Sequence, residues 1–438
     1  MANAIGSRPQ PRAVRVADPV RYRFSQGLLL LLAICFLLQV FSPLRLNTDA
    51  IILLSMGESA AHGGGFLDSG QKTVHPPGYP ALLAALMRVG LARPWAIVGL
   101  NAVFLSAGLF ATYSLLIREF FEDKSVVLII CSLFLLSFIV VKHFPIPLTD
   151  VPFFCCSMCC LAVMSKTTKM DWNWRFVILA VAAWLLAVAA ITTRRVGVAL
   201  VPPLVFMIVC SPHFKSLLKR LSRRTTLMIV GASAIVGVGT MRVVAKTSTL
   251  VDFLSVAKQS KISTLVVQII SYRLTEFGEL LGNLPMSKMP TQLHIMVPWI
   301  GLILFLLTLF GLATKRRHIG PTEVFLVCYM GILFAWPYYD ARFWLPVLPL
   351  LIAYSVLAIK SLRFPNGVVM IYCIVFSALG FVAIAYSTRI SFAGSTFPDR
   401  YGDGTLRPTY CAAFQSCRDG GDPNKVDAKA LRVLRAYN

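Results

Sequence analysis

Acidic residues are scarce in this chain: Asp and Glu together number 19 in 438 residues, and all charged residues make up 14%. Soluble domains carry about 25% charged residues, so the composition excludes an ordinary soluble enzyme. Internal repeats and low-complexity stretches are absent, which removes solenoids and disordered scaffolds from consideration. Residues 1–23 hold no apolar stretch, and the apolar run after them lacks a small-residue cleavage site, so that run is expected to be an anchor and not a signal peptide. What is abundant is apolar surface, at 57% of residues with mean hydropathy +0.72. Basic residues are abundant too: 42 Lys and Arg give a net charge of +23. A basic balance invites a nucleic-acid reading, but on so apolar a chain it more often marks the flanks of membrane spans.

The apolar residues come in blocks near the length of about 20 residues that a bilayer crossing requires. Spans are expected at 26–43, 94–117, 125–143, 148–165, 174–192, 195–210, 226–244, 296–314, 322–337, 343–359 and 367–386, about eleven in all. The fold class is therefore an all-α polytopic membrane protein. Residues 76–91 are apolar but short and open on two prolines. If they do not cross, Arg118, Lys166, Lys215 to Arg224, Lys315 to Arg317 and Lys360 all share the side of the Arg-rich N-terminal arm. If they cross, the 213–224 and 315–317 clusters change sides. The positive-inside rule favours the first arrangement, and 76–91 then reads as a half-inserted or interfacial helix on the outer face.

This topology places the N-terminus in the cytoplasm and the C-terminus outside. The expected organisation is a cytoplasmic arm at 1–23, a transmembrane domain at 24–388 and an outer tail at 389–438. Outer loops run over 44–93 and 245–295. In the second loop Val266, Ile270, Leu274, Phe277 and Leu281 share one helical face, and Arg273, Glu276 and Glu279 the other. That pattern predicts an amphipathic helix lying on the membrane surface. Residues 49–62 form a second expected helix, ended by Gly63-Gly64-Gly65. Of the 11 cysteines, Cys155, Cys156, Cys159 and Cys160 sit within one span without a nearby histidine, and packing explains them better than a metal site. Cys411 and Cys417 lie in the polar tail, where a disulfide is expected if that face is oxidising.

Ionisable groups are costly in hydrocarbon, so a membrane enzyme keeps its chemistry at span ends. Asp49, Glu58, Asp68, Lys72, His75, Asp150, Arg194, Arg195, Arg242, Asp340 and Arg342 come from different segments yet fall on one expected side. Asp49 could take a proton from a hydroxyl nucleophile, or it could cap the helix that follows. Asp150 has the same two readings. Arg342 could hold a phosphate bidentately, or snorkel beside the aromatic residues around it.

Several stretches together are recognisable. Asn47-Thr48-Asp49 is followed by His75-Pro76-Pro77-Gly78-Tyr79-Pro80, then by Thr149-Asp150-Val151-Pro152, Thr193-Arg194-Arg195 and Arg342-Phe343-Trp344-Leu345-Pro346. This pattern resembles the GT-C glycosyltransferases, nearest the group of protein O-mannosyltransferases, lipid A aminoarabinose transferases and rhizobial galacturonosyltransferases. The resemblance implies a GT-C-like bundle in the plasma membrane, a bacterial inner membrane in that group. It also implies a sugar donor on a polyprenyl phosphate, with inverting transfer on the outer face. Asp49 would be the general base, and Asp150 a second acidic residue orienting the acceptor or a divalent metal. Lys72, His75, Arg194, Arg195 and Arg342 would border the donor phosphate, and Tyr79, Tyr338 and Tyr339 would line the pocket. Where the family often shows Asp-Glu, Asp49 is followed by Ala50. The tail is also too small for a typical acceptor-binding domain, so the expected acceptor is a lipid or glycan. A transporter or flippase would carry charges near mid-membrane and some repeat symmetry. A polysaccharide polymerase or ligase would lack the 49–80 pattern. No nucleic-acid partner is expected, because the basic residues track the inner loops.

Overall fold

The computed structural model describes residues 19–171, 173–211, 262–401, 406–415 and 423–437. The expected span 226–244, the 213–224 basic cluster, Arg242 and Cys417 lie outside the described residues. Among the described residues the fold is almost wholly helical, with a single two-stranded hairpin pairing Leu67 with Lys72 and Asp68 with Gln71.

Among the described residues seven helices are long and apolar enough to cross a membrane: Pro19–Phe41, Pro94–Glu119, Asp150–Thr167, Trp174–Thr193, Met296–Thr314, Ala341–Ser361 and Asn366–Ser391. Three shorter apolar helices, Lys124–Leu136, Arg195–Val209 and Pro321–Phe334, fall where three further spans are expected. The 125–143 block breaks at Ser137, whose extended backbone separates Lys124–Leu136 from Phe138–His143. The protein is an all-α polytopic membrane protein. In the numbering used below, α1 is Pro19–Leu38, α2 Thr48–Ala61, α3 Gly78–Arg88, α4 Pro94–Glu119, α5 Lys124–Leu136, α6 Phe138–His143, α7 Asp150–Thr167, α8 Trp174–Thr193 and α9 Val201–Val209. After the undescribed segment come α10 Ile262–Gly282, α11 Met296–Thr314, α12 Pro321–Phe334, α13 Leu348–Ser361, α14 Asn366–Ser391, α15 Arg407–Phe414 and α16 Ala428–Tyr437.

Burial sorts the spans into two kinds. Helix α7 and the Ala341–Ser361 span are enclosed, whereas α1, α8, α11 and α14 turn most of their apolar surface outward. Outward apolar surface is what lipid, and not water, would solvate. The two enclosed spans each present a charged residue at the same end of the bundle, Asp150 and Arg342. At the opposite end, about 27 Å away along the 18 residues of α7 at 1.5 Å per residue, a second charged network ties helices together. There Lys315 pairs with Glu323 at 2.6 Å and with Glu119 at 3.9 Å, and Tyr354 donates to Glu323 at 2.7 Å.

Helix α10 corrects the sequence expectation. Its periodic pattern is present, but the charged face is turned inward. Arg273 and Glu276 are fully buried and Glu279 nearly so; on the apolar face Phe277 and Leu281 are buried as well, while Val266 and Ile270 at the helix start are exposed. The helix packs against α11 so tightly that a Cβ added at Gly301 would lie 1.8 Å from the Leu274 carbonyl oxygen. Small residues at such crossings let backbones touch, the usual device of helix pairs in lipid. Gly301→Val is expected to cost at least about 1–3 kcal/mol by overpacking, read as a lowered melting midpoint of the purified protein in detergent.

A cap layer covers the charged end. Leu44, Leu46, Ile51, Leu54, Tyr79 and Leu83 form a second core with Phe397, Tyr410, Val433, Leu434 and Tyr437 of the tail. The tail is thus packed onto loop one. Tyr410 Oη accepts from Leu46 N at 2.7 Å and donates to the Leu44 carbonyl at 2.9 Å. Lys429 pairs with Asp68, and Arg432 with Glu58 at 3.2 Å. Cys411, which lies in this layer, is disulfide-bonded.

Candidate active site

Asp49 enters the site because α2 starts one residue before it. The helix cap is not Asp49: Asn47 has extended backbone, and its Oδ1 accepts from Ala50 N at 2.8 Å. Capping by Asn47 satisfies a first-turn amide and leaves the Asp49 carboxylate available. That carboxylate meets Arg342, 293 residues away in sequence, through Oδ2. Burial pushes the Asp49 pKa up, but Arg342's charge and hydrogen bond, helped by the charges of His75 and Arg194, outweigh it. The carboxyl titrates below its ordinary range.

Arg342 is held from several sides. Its segment, Ala341–Val347, is a 3-10 stretch feeding α13, and Asp340 caps it by accepting from Arg342 N at 3.1 Å. Asp340 Oδ2 also lies 2.5 Å from Arg342 Nε. The Arg342 guanidinium carbon sits 5.4 Å from the centre of the Phe343 ring. Arg194 approaches the same ring at 4.8 Å and ion-pairs with Asp150. Cation–π contacts to one shared ring keep both guanidiniums in register.

His75 is delivered by its proline-rich turn. Pro76 and Pro77 restrict the backbone, and α3 opens at Gly78. A Cβ there would lie 2.6 Å from the Thr192 carbonyl oxygen. Only glycine therefore lets α3 press against the end of α8, beside Arg194. The result puts His75 Nε2 3.9 Å from Asp49 Oδ1, too long for a direct hydrogen bond. Burial, reinforced by Arg342, Arg195 and Arg194 and opposed by Asp49, lowers the imidazole pKa. His75 is therefore neutral at pH 7.

The residues singled out from sequence divide accordingly. Asp49, His75 and Arg342 form one contact group, and Asp150 with Arg194 joins it through Phe343. Arg195 is half-buried, with its charge bearing on His75. Lys72 stands exposed on the hairpin. Tyr79 is fully buried in the cap-layer core, its hydroxyl 3.5 Å from Asn101 Oδ1, and so packs instead of lining an open pocket. Tyr338 and Tyr339 are exposed on the segment before Arg342, and Tyr339 donates to Glu279. Among the described residues no group of three or more His, Cys, Asp or Glu side chains could hold a metal ion. Sequence reading missed Glu276 and Arg273, whose contacts with 338–344 pass beneath this group. It also missed His143, buried at the end of α6 with Nδ1 2.8 Å from the Ile139 carbonyl oxygen.

No protein-family model matches the chain, and no curated protein matches it. Among solved structures it is similar to ArnT from Cupriavidus metallidurans, bound to undecaprenyl phosphate. The identity is 15% and the TM-score 0.45, over 91% of this chain and 69% of that one. It is also similar to the archaeal oligosaccharyltransferase AglB from Archaeoglobus fulgidus, in complex with an inhibitory peptide and a dolichol-phosphate. There the identity is 14% and the TM-score 0.49, over 94% of this chain and 60% of that one. Likeness at this level assigns neither substrate nor reaction.

Proposed function

We propose that this protein is a GT-C-type membrane glycosyltransferase. It moves a sugar from a polyprenyl-phosphate donor to a lipid or glycan acceptor on the outer face of the membrane, with inversion. The observation that carries the reading is the Asp49–Arg342 pair with His75 and Asp150–Arg194 around it, assembled from the very stretches that resemble that family. Asp49 is held as an anion and takes the proton of the acceptor hydroxyl. The hydroxyl oxygen bonds to the anomeric carbon as the bond from that carbon to the phosphate oxygen breaks. In-line attack from the opposite face inverts the centre, by the geometry that distinguishes inverting glycosidases. The lipid phosphate leaves with the bonding electrons, and Arg342 with Arg194 and Arg195 stabilises its added negative charge. Neutral His75 borders the same phosphate as a hydrogen-bonding group. Asp150, buried against Arg194, fixes that guanidinium in place and acts through it, without touching the acceptor.

The test supplies purified protein with radiolabelled polyprenyl-phosphate hexoses and pentoses together with membrane lipid extract. Label transferred from one donor to extract lipid or glycan, with the anomer inverted, is the expected result. Failure of every donor, combined with an unchanged lipid-linked glycan profile in a deletion strain, overturns the proposal.

A further inference from the structure

Helix α10 touches none of the reacting groups, yet all three of its buried ionisable side chains end on the segment that precedes or carries Arg342. Glu276 Oε1 accepts from Asp340 N at 2.7 Å, and its Oε2 accepts from Trp344 Nε1 at 2.7 Å. Arg273 Nη1 lies 2.8 Å from Glu276 Oε2, and Arg273 Nη2 donates to the Tyr338 carbonyl. Glu279 accepts from Tyr339. Glu276 therefore grips the segment at both ends, one residue before Ala341 and two residues after Arg342. Asp340, fixed by its amide, passes the constraint on by capping Arg342 N and pairing with Nε. Burying a carboxylate and a guanidinium together is costly unless their hydrogen bonds are well made. Apolar residues would hold a plain helix contact as well, so the two ionised groups are here for their directionality. They fix a backbone amide and an indole in one orientation.

We propose that Glu276, backed by Arg273, is a positioning residue that holds the Asp340–Trp344 segment so that Arg342 faces the donor phosphate beside Asp49. The proposal rests on the glycosyltransferase reading for its consequence and on the contacts of α10 for its geometry.

Titration gives the pair a signature. Burial, opposed by Arg273, Trp344 and the Asp340 amide, raises the Glu276 pKa to about 7. The charged and titratable groups facing it are Arg273 and Glu279 from α10, and Tyr339 and Asp340 from the segment opposite. Protonating Glu276 removes one acceptor and the counter-charge of Arg273, so the grip loosens as pH falls through that value. Asp49 and His75 are both shifted down, away from that value.

Two variants and two readouts test the inference. Glu276→Gln keeps the shape but replaces one acceptor with a donor, and Trp344→Phe keeps the ring but removes the Nε1 donor. Both are expected to raise the donor KM by about tenfold, with a smaller change in kcat. Glu276→Gln should also abolish the limb near pH 7 in the donor KM, and Glu276→Asp should restore part of the affinity. Hydrogen exchange at the Asp340 amide should be slow in the wild type and fast in Glu276→Gln. If the wild type transfers sugar and both variants keep donor KM and pH profile unchanged, the inference fails while the glycosyltransferase reading stands. If the wild type transfers nothing, that reading fails, and an Asp340 amide that exchanges equally in both proteins overturns the positioning role by itself.

Discussion

Asp49→Asn is expected to lower sugar transfer by about 10²- to 10⁴-fold, the usual contribution of a general base, with most of the loss in kcat. Asparagine matches aspartate in shape, and the cap of α2 belongs to Asn47, so the helix start is untouched. Arg342 keeps Asp340 as a counter-ion. What disappears is the anion proposed to accept the acceptor's proton. Single-turnover rates with a saturating donor measure the effect, and a melting curve in detergent confirms that the variant is folded. Transfer at the wild-type rate would remove Asp49 from the role of base and turn attention to Asp150.

The second large effect is expected at Arg342. Arg342→Ala removes the donor proposed to face the phosphate that gains charge, and a loss of about 10²- to 10³-fold in kcat is expected. Arg342→Lys retains a charge but not the planar fork, and so recovers only part. The pH profile separates this role from mere misfolding. In the wild type the Asp49 anion is stabilised by Arg342, so its contribution to stability and to activity persists above the ordinary carboxylate range. That contribution is lost only as pH falls through the lowered native value. Without Arg342, burial is the largest remaining influence, and the acid limb of kcat moves to higher pH. An acid limb at the wild-type position would show that Arg342 does not set the state of Asp49.

Much of the bundle was legible because apolar runs of span length have few other uses. The interrupted 125–143 span was not divided correctly, since nothing in its apolar composition marks the extended backbone at Ser137. Helix α10 shows a sharper limit. Period 3.6 revealed its two faces, but not that the C-terminal half of the helix is buried on both. Ionisable groups beside lipid turn inward, and here Arg273, Glu276 and Glu279 are buried together with Phe277 and Leu281, whereas Val266 and Ile270 at the helix start are exposed. The site was legible as motifs, and the motif residues do meet at one end. Their individual duties were less so. Tyr79 sits in a shared motif yet packs a core, and Glu276 carries no motif because its partners lie 64 and 68 residues away. The tail's docking could not be read at all, as Tyr410 finds its backbone partners 364 and 366 residues upstream.

That docking has a consequence for how the protein is made. The apolar residues of loop one, Leu44 to Leu83, emerge early, but among the described residues seven of the 19 buried members of their core come from residues 397–437. At about 5–20 residues per second, roughly 20–80 s of synthesis separate Leu54 from Tyr437. Through that interval Asp49 belongs to an unfinished layer, which closes only when α16 has been translated and delivered to it. A ribosome stalled before residue 407 should therefore carry an inserted bundle without a competent site, and a fusion placed behind α16 would be felt at the chemistry.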